Sequence, residues 1–187
     1  RPDSTHVFQG LSKRIKVVKT RKPEVTLTDP SQWQGSGEQM EIFQFLYFTG
    51  ARLAEIAGLQ AEDLREDRIL IRANHSRPLK TEASERSIPL HPRLRPLAME
   101  LREKNGFLWP GQYQESTKRW GSNLSKPCRK IVGVTPKGFR DRAATVLRAN
   151  NMNEAVVVAL LGHTPNSISM LYGITPWNEL RHAVSLL

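Results

Sequence analysis

The sequence predicts a mainly α domain with a small antiparallel β-sheet, an α+β arrangement. Three observations carry it. Apolar residues recur at helical spacing through most of the chain, only two short runs alternate as strands do, and glycine and proline punctuate the stretches between. The 187 residues suffice to bury roughly two-thirds of the unfolded surface, so no disulfide or metal staple is needed. No run approaches the ~18 apolar residues of a membrane span, and no apolar stretch follows a charged start as in a secretory signal. The single cysteine, Cys128, excludes an intrachain disulfide and a multi-cysteine zinc site. Together these features favour a reducing, cytoplasmic setting.

Residues 1–23 lack sustained periodicity, and Lys13-Arg14-Ile15-Lys16 and Lys19-Thr20-Arg21-Lys22-Pro23 read as a basic arm or linker. Such a start is expected of a fragment with a domain missing upstream. From Gly37 the pattern turns helical: Met40, Phe43, Leu46 and Tyr47 fall on one stripe and Gly50 is the stop. A short second helix places Leu53, Ile56 and Ala57 inward, with Arg52 and Glu55 on another face. Arg68–Arg72 and Arg86–Leu90 are strand-like and joined by a polar stretch containing Lys80. Pro89 confines its strand to an edge or an end. Helical spacing resumes at Leu94, Leu97 and Leu101, and again at Trp120, Leu124 and Cys128. Thr135-Pro136 predicts a hydroxyl cap followed by proline at the first helical position, with Phe139, Ala143, Val146 and Leu147 buried behind it. Asn153 caps a helix that Gly162 ends. Trp177, Leu180, Val184 and Leu187 mark a short terminal amphipathic helix, expected either to pack on its own domain or to dock on a neighbouring protomer.

Charge narrows the partner. The net charge is +10, and it is concentrated: seven basic residues against one acidic in 1–23, and nine against one in 118–148, on an otherwise acidic chain. Lys118, Arg119, Lys126, Arg129 and Lys130 join Lys13, Arg14 and Lys16 as the residues expected to meet a polyanion, nucleic acid foremost. A ribosome-like or merely solubilising basic surface is the other reading of the same numbers.

There is no GxxxxGK[ST] loop, no HExxH, no paired cysteine spacing and no acidic cluster suited to two Mg²⁺ ions. A chain acting on phosphate would then rely on fixed cations and hydrogen-bond donors to offset charge on the non-bridging oxygens. Arginine suits this best, with a planar fork that stays protonated. Four segments supply such groups: Thr49–Glu55 with Arg52, Lys80-Thr81, Lys137 with Arg140 at a helix start, and Leu161-Gly162-His163 with Tyr172 nine residues on. Each has an ordinary reading too. Arg52 and Glu55 could be an i, i+3 surface pair, Lys80 a solvated hairpin lysine, His163 a helix-end cap and Tyr172 half-buried core. Lys137 and Arg140 are less easily dismissed, since cations at a helix start oppose the macrodipole unless an anion joins them. His6, His75, His91 and His182 read as surface residues, and Trp109, Trp120 and Trp177 as core or interface.

In series, Thr49-Gly50-Ala51-Arg52…Glu55…Leu59, Lys80-Thr81…Ser87-Ile88-Pro89-Leu90, Lys137-Gly138-Phe139-Arg140, Leu161-Gly162-His163 and Leu171-Tyr172 resemble the tyrosine recombinases of the phage-integrase family. The likeness covers about residues 24–187, and Phe8-Gln9-Gly10-Leu11 resembles the linker from that family's upstream core-binding domain. The resemblance implies the family's catalytic-domain fold over 24–187, behind a linker over 1–23. It implies an integrase-type site-specific recombinase that cuts and rejoins DNA without metal, nucleotide or other cofactor, as a homotetramer on a four-way junction. It makes Tyr172 the nucleophile forming a 3′-phosphotyrosyl bond. Arg52 and Arg140 clamp the non-bridging oxygens, Lys80 protonates the leaving 5′-oxygen, His163 donates to the phosphate and Glu55 orients Arg52. The family's HxxR box usually begins with histidine, where this chain has Lys137. A protonated lysine binds phosphate but takes no proton, so either the cationic cluster depresses the Tyr172 pKa or water accepts its proton. A type IB topoisomerase-like enzyme and a DNA-binding module without catalysis are the competing expectations.

Overall fold

The computed structural model describes residues 27–79, 84–163 and 175–187. The predicted site residues Lys13, Arg14, Lys16, Lys80 and Tyr172, with the rest of the basic arm, lie outside them.

Helix α1 (Glu38–Thr49) is the centre of the core. Ile42, Phe43, Phe45 and Leu46 are fully buried, so the helix is covered on every side and the single predicted stripe understates it. Glu38 and Glu41 sit in its first turn, where the dipole favours them. Gly50 ends it in the left-handed conformation, φ 61°. A Cβ there would lie 2.7 Å from both Ala143 Cβ and Leu161 Cδ2, so the turn needs glycine for space as well as for φ.

Helix α2 (Leu53–Ala57) follows at once, then the antiparallel pair β1 (Arg68–Ile71) and β2 (Arg86–Pro89), in register Ile69 to Ile88. Pro89 closes β2, as its missing N–H predicts. Helix α3 (Arg95–Arg102) is strongly amphipathic, burying Ala98 and Leu101. A 3₁₀ turn over Pro92–Leu94 leads into it, with His91 as its cap. His91 is buried rather than on the surface: Nδ1 accepts from Arg93 N at 3.1 Å and the ring stacks on Phe48 at 4.3 Å.

The predicted helical run through Trp120 is also corrected. A second two-stranded sheet, β3 (Tyr113–Gln114) with β4 (Arg119–Trp120), occupies its start, and helix α4 (Ser125–Val132) begins only afterwards. Trp120 packs against Phe107 at 4.6 Å and against its cross-strand partner Tyr113 at 5.0 Å, and Gly121 turns the chain with φ 67°. Aromatic pairing across strands outweighs the i, i+4, i+8 coincidence.

Helix α5 (Pro136–Ala149) packs along α1 through Phe139, which meets Phe43 at 6.2 Å and Trp33 at 5.8 Å. Thr135 holds the cap position in extended geometry, but its hydroxyl makes no cap bond. Helix α6 (Glu154–Leu161) is capped by Asn153 Oδ1 accepting from Ala155 N at 2.9 Å and is stopped by Gly162, φ 64°. Helix α7 (Trp177–Ser185) lies on α6 and β2 of its own chain, burying Leu180, Ala183 and Val184. Arg68 sits over the Trp177 ring at 4.3 Å, and Trp109 is fully buried with Nε1 donating to Glu41. Among the described residues no helix is long and apolar enough to cross a membrane.

Candidate active site

Chain reversals at Gly50 and Gly162 help bring the predicted groups together. At the first, Thr49 Oγ1 donates back to the Phe45 carbonyl and accepts from Ala51 N, bracketing Gly50. This delivers Arg52 to the N-cap of α2 with extended backbone. Its own N–H donates to Glu55 Oε2 at 2.9 Å, and its Nη1 donates to Glu55 Oε1 at 2.7 Å and to Ser84 Oγ at 3.2 Å. Nη2 donates to the Gly162 carbonyl at 2.9 Å. The Arg52–Glu55 pair is therefore no loose surface contact: Glu55 is 4% exposed.

Arg140 rises from the second turn of α5 and donates Nη1 to the Gly50 carbonyl at 3.0 Å, two residues from Arg52. Its Nη2 is buried and, among the described residues, has no hydrogen-bond partner. Burial, then the Arg52 charge beside it, pushes its pKa down to about 10. A guanidinium that is desolvated, crowded by a second cation and short of an acceptor is set up for an anion. His163, one residue past the Gly162 stop, feels the same field. Burial first, then the charges of Arg140 and Arg52, hold its imidazole below the usual 6.5. At neutral pH it is an uncharged ring that can donate one N–H.

Arg52 and Arg140 line an open cavity of about 480 Å³ together with Ser125, Thr135 and Lys137. Lys137 reaches its rim, but Nζ is tied to both Asp141 oxygens at 2.5 and 2.6 Å in an exposed i, i+4 pair. Of the predicted site, the fold thus gathers Arg52, Glu55, Arg140 and His163 closely and places Lys137 at the edge. A cavity of about 510 Å³ near Asp67, Arg95 and Arg181 holds none of the predicted catalytic groups.

Sequence reasoning reads Arg86 only as a strand residue, yet its Nη2 donates to Glu55 Oε2 at 2.9 Å. Behind it, Arg77 is buried, with Nη1 donating to the Glu55 carbonyl and Nη2 to Asp63 Oδ2 at 3.4 Å. No local pattern marks these arginines, because the acceptors that tie them to Glu55 and to the end of α6 lie far along the chain. Glu55 feels both opposing influences. Burial alone would raise its carboxyl, but the Arg86 charge and hydrogen bond, with Arg52, hold it below the usual carboxylate range.

Lys118, Arg119, Lys126, Arg129 and Lys130 are all exposed, as expected of a surface that meets a polyanion. Among the described residues, Lys126, Arg129 and Lys130 form no ion pair. They border a hollow of about 320 Å³ with Ser125, which also lines the arginine cavity. The basic face of α4 therefore runs continuously into the cleft. Among the described residues no group of three or more His, Cys, Asp or Glu is placed to hold a metal ion.

No curated protein matches the chain in sequence. Among solved structures, the integrase from mycobacterium phage Brujita is similar with a TM-score of 0.64 and 14% identity, over 89% of this chain and 60% of that one. The Tn1549 transposon integrase, in complex with transposon right end DNA, is similar with a TM-score of 0.51 and 20% identity, over 87% of this chain and 66% of that one. The same integrase with a circular intermediate DNA gives 0.52 and 19%, with the same coverage. The chain thus spans 60–66% of the length of these structures, and at such identities the likeness is one of fold. The sequence model of the phage integrase family matches residues 34–174, a span that takes in every predicted catalytic residue from Arg52 to Tyr172. With that match over most of its length and the integrase fold beneath it, the chain belongs to the phage integrase family.

Proposed function

We propose that this chain is the catalytic domain of a site-specific DNA recombinase working through a 3′-phosphotyrosyl intermediate. The observation that carries the reading is the buried Arg140 Nη2, without a partner among the described residues, beside Arg52 and a neutral His163. Together these groups form a cradle suited to one phosphodiester. Tyr172 Oη attacks phosphorus, the bond to the 5′-oxygen breaks, the phenolic proton passes to water and Lys80 protonates the departing oxygen. Arg52 and Arg140 offset the charge gathering on the non-bridging oxygens, and His163 donates to one of them. The phosphotyrosine conserves the bond energy, so rejoining takes no nucleotide. Lys118, Arg119 and the α4 cations continue the DNA path, and Lys13, Arg14 and Lys16 supply further phosphate contacts. Two strand exchanges through a four-way junction take four protomers.

The test is covalent trapping on nicked suicide duplexes from a random-sequence pool, at low salt with EDTA, comparing wild type with Tyr172→Phe. A slower-migrating adduct on a denaturing gel that vanishes in the phenylalanine variant is expected. Retention of the adduct by that variant would refute Tyr172 as nucleophile. Binding without any adduct would favour the DNA-binding module, for which the Lys137–Asp141 pair is the specific observation. Relaxation of supercoiled DNA without site preference would instead indicate topoisomerase-like action.

A further inference from the structure

Arg86 joins three separate parts of the site without facing its cavity. Its side chain is 7% exposed. Nε donates to the Leu160 carbonyl at 2.8 Å, Nη1 to the Ser84 carbonyl at 2.7 Å and Nη2 to Glu55 Oε2 at 2.9 Å. The Leu160 carbonyl belongs to the last turn of α6, where the helix leaves acceptors unfilled and a partial negative charge. Arg52 takes the Gly162 carbonyl two residues on. The two guanidiniums thus grip the turn that presents His163, and Glu55 fixes them to each other through its two oxygens. Gly162 is part of the fit: a Cβ there would stand 2.6 Å from Arg86 Nη1.

We propose that Arg86 is a positioning residue for the phosphate cradle, acting through Glu55 on Arg52 and through the end of α6 on His163. It rests on the recombinase reading above. Three acceptors spread around one planar fork are beyond the reach of a lysine ammonium, so Arg86→Lys keeps the charge and loses the geometry. Arg52 and His163 address the non-bridging oxygens. The defect should therefore depend on the charge those oxygens carry.

Single-turnover cleavage of a duplex recovered by the trapping experiment separates the possibilities, using three scissile groups. One is the ordinary phosphodiester. The second is a methylphosphonate, in which a neutral methyl replaces one non-bridging oxygen. The third is a 5′-bridging phosphorothiolate, whose sulfur leaves without needing a proton. Arg86→Lys is expected to slow phosphodiester cleavage by up to about 100-fold, the scale of a misplaced catalytic group. Most of that loss should disappear on the methylphosphonate and persist on the phosphorothiolate. Ratios taken within one preparation cancel any unfolded fraction. Equal losses on all three substrates, or no loss, would overturn the proposal by leaving Arg86 structural only. Rescue by the phosphorothiolate would overturn it too, by moving the effect to Lys80. Wild type that binds but cleaves none of the three refutes the recombinase reading itself, an outcome distinct from either failure of Arg86.

Discussion

Glu55 sits between two guanidiniums, Arg52 at 2.7 Å and Arg86 at 2.9 Å, with 5% of its side chain exposed. Removing one member of a buried ion pair costs about 3–5 kcal/mol, since the remaining charge stays desolvated. Glu55→Gln should lose stability on that scale at pH 7, measured by urea unfolding. The sign with pH follows from the carboxyl being held below its ordinary 4.5. The stabilisation is complete above that value and is lost as pH falls through the lower native value. Wild type and variant should therefore converge in acid, and a gap that stays constant to pH 3 would contradict the assignment. Arg52, Glu55, Arg140 and His163 are legible in the sequence because each sits in a short motif beside a turn or cap. Arg86 is not, as two of its three acceptors lie 31 residues before it and 74 after.

Helix stops govern how those side chains converge. Gly50 and Gly133 both end helices at positive φ, 61° and 84°. A Cβ at Gly50 meets Ala143 and Leu161 at 2.7 Å, whereas one at Gly133 meets nothing within 4 Å. Gly133→Ala should show backbone strain alone, about 1 kcal/mol. Gly50→Ala should add overpacking of about 1–3 kcal/mol. Equal midpoints in parallel denaturant titrations would argue against the tight α1–α5–α6 junction. Helix positions are readable from periodicity, and their stops from glycine. The β3–β4 pair is not, because a strand of two residues has no period to read. Its stability comes from Trp120 packing on Tyr113 and Phe107. Thr135 shows the opposite limit: spacing identifies the cap residue, but its hydroxyl bond is not formed.

Across the whole molecule, the arrangement of charge matters more than the net +10. Arg148 is neutralised by Glu154 at 2.6 Å and Arg93 by Asp29 at 2.6 Å, while Lys126, Arg129 and Lys130 face outward beside the arginine cavity. If these three meet phosphates, Lys126→Gln/Arg129→Gln/Lys130→Gln should flatten the plot of log affinity against log salt by about 0.9 for each phosphate no longer neutralised. Fluorescence anisotropy with duplex DNA measures it, with Arg148→Gln as a control expected to leave the slope unchanged. An unaltered slope in the triple variant would place the DNA elsewhere. The sequence by itself determined the helical architecture, the basic segments and the motif series that marks the family, since periodicity, caps and spacing are local properties of the chain. Only the tertiary structure decided which cations are paired. It commits Arg86 and Arg77 to holding the scaffold and leaves Arg140 with a buried donor unmet among the described residues. The reason is that desolvation and neutralisation are set by neighbours brought from distant parts of the chain, which no local spacing encodes.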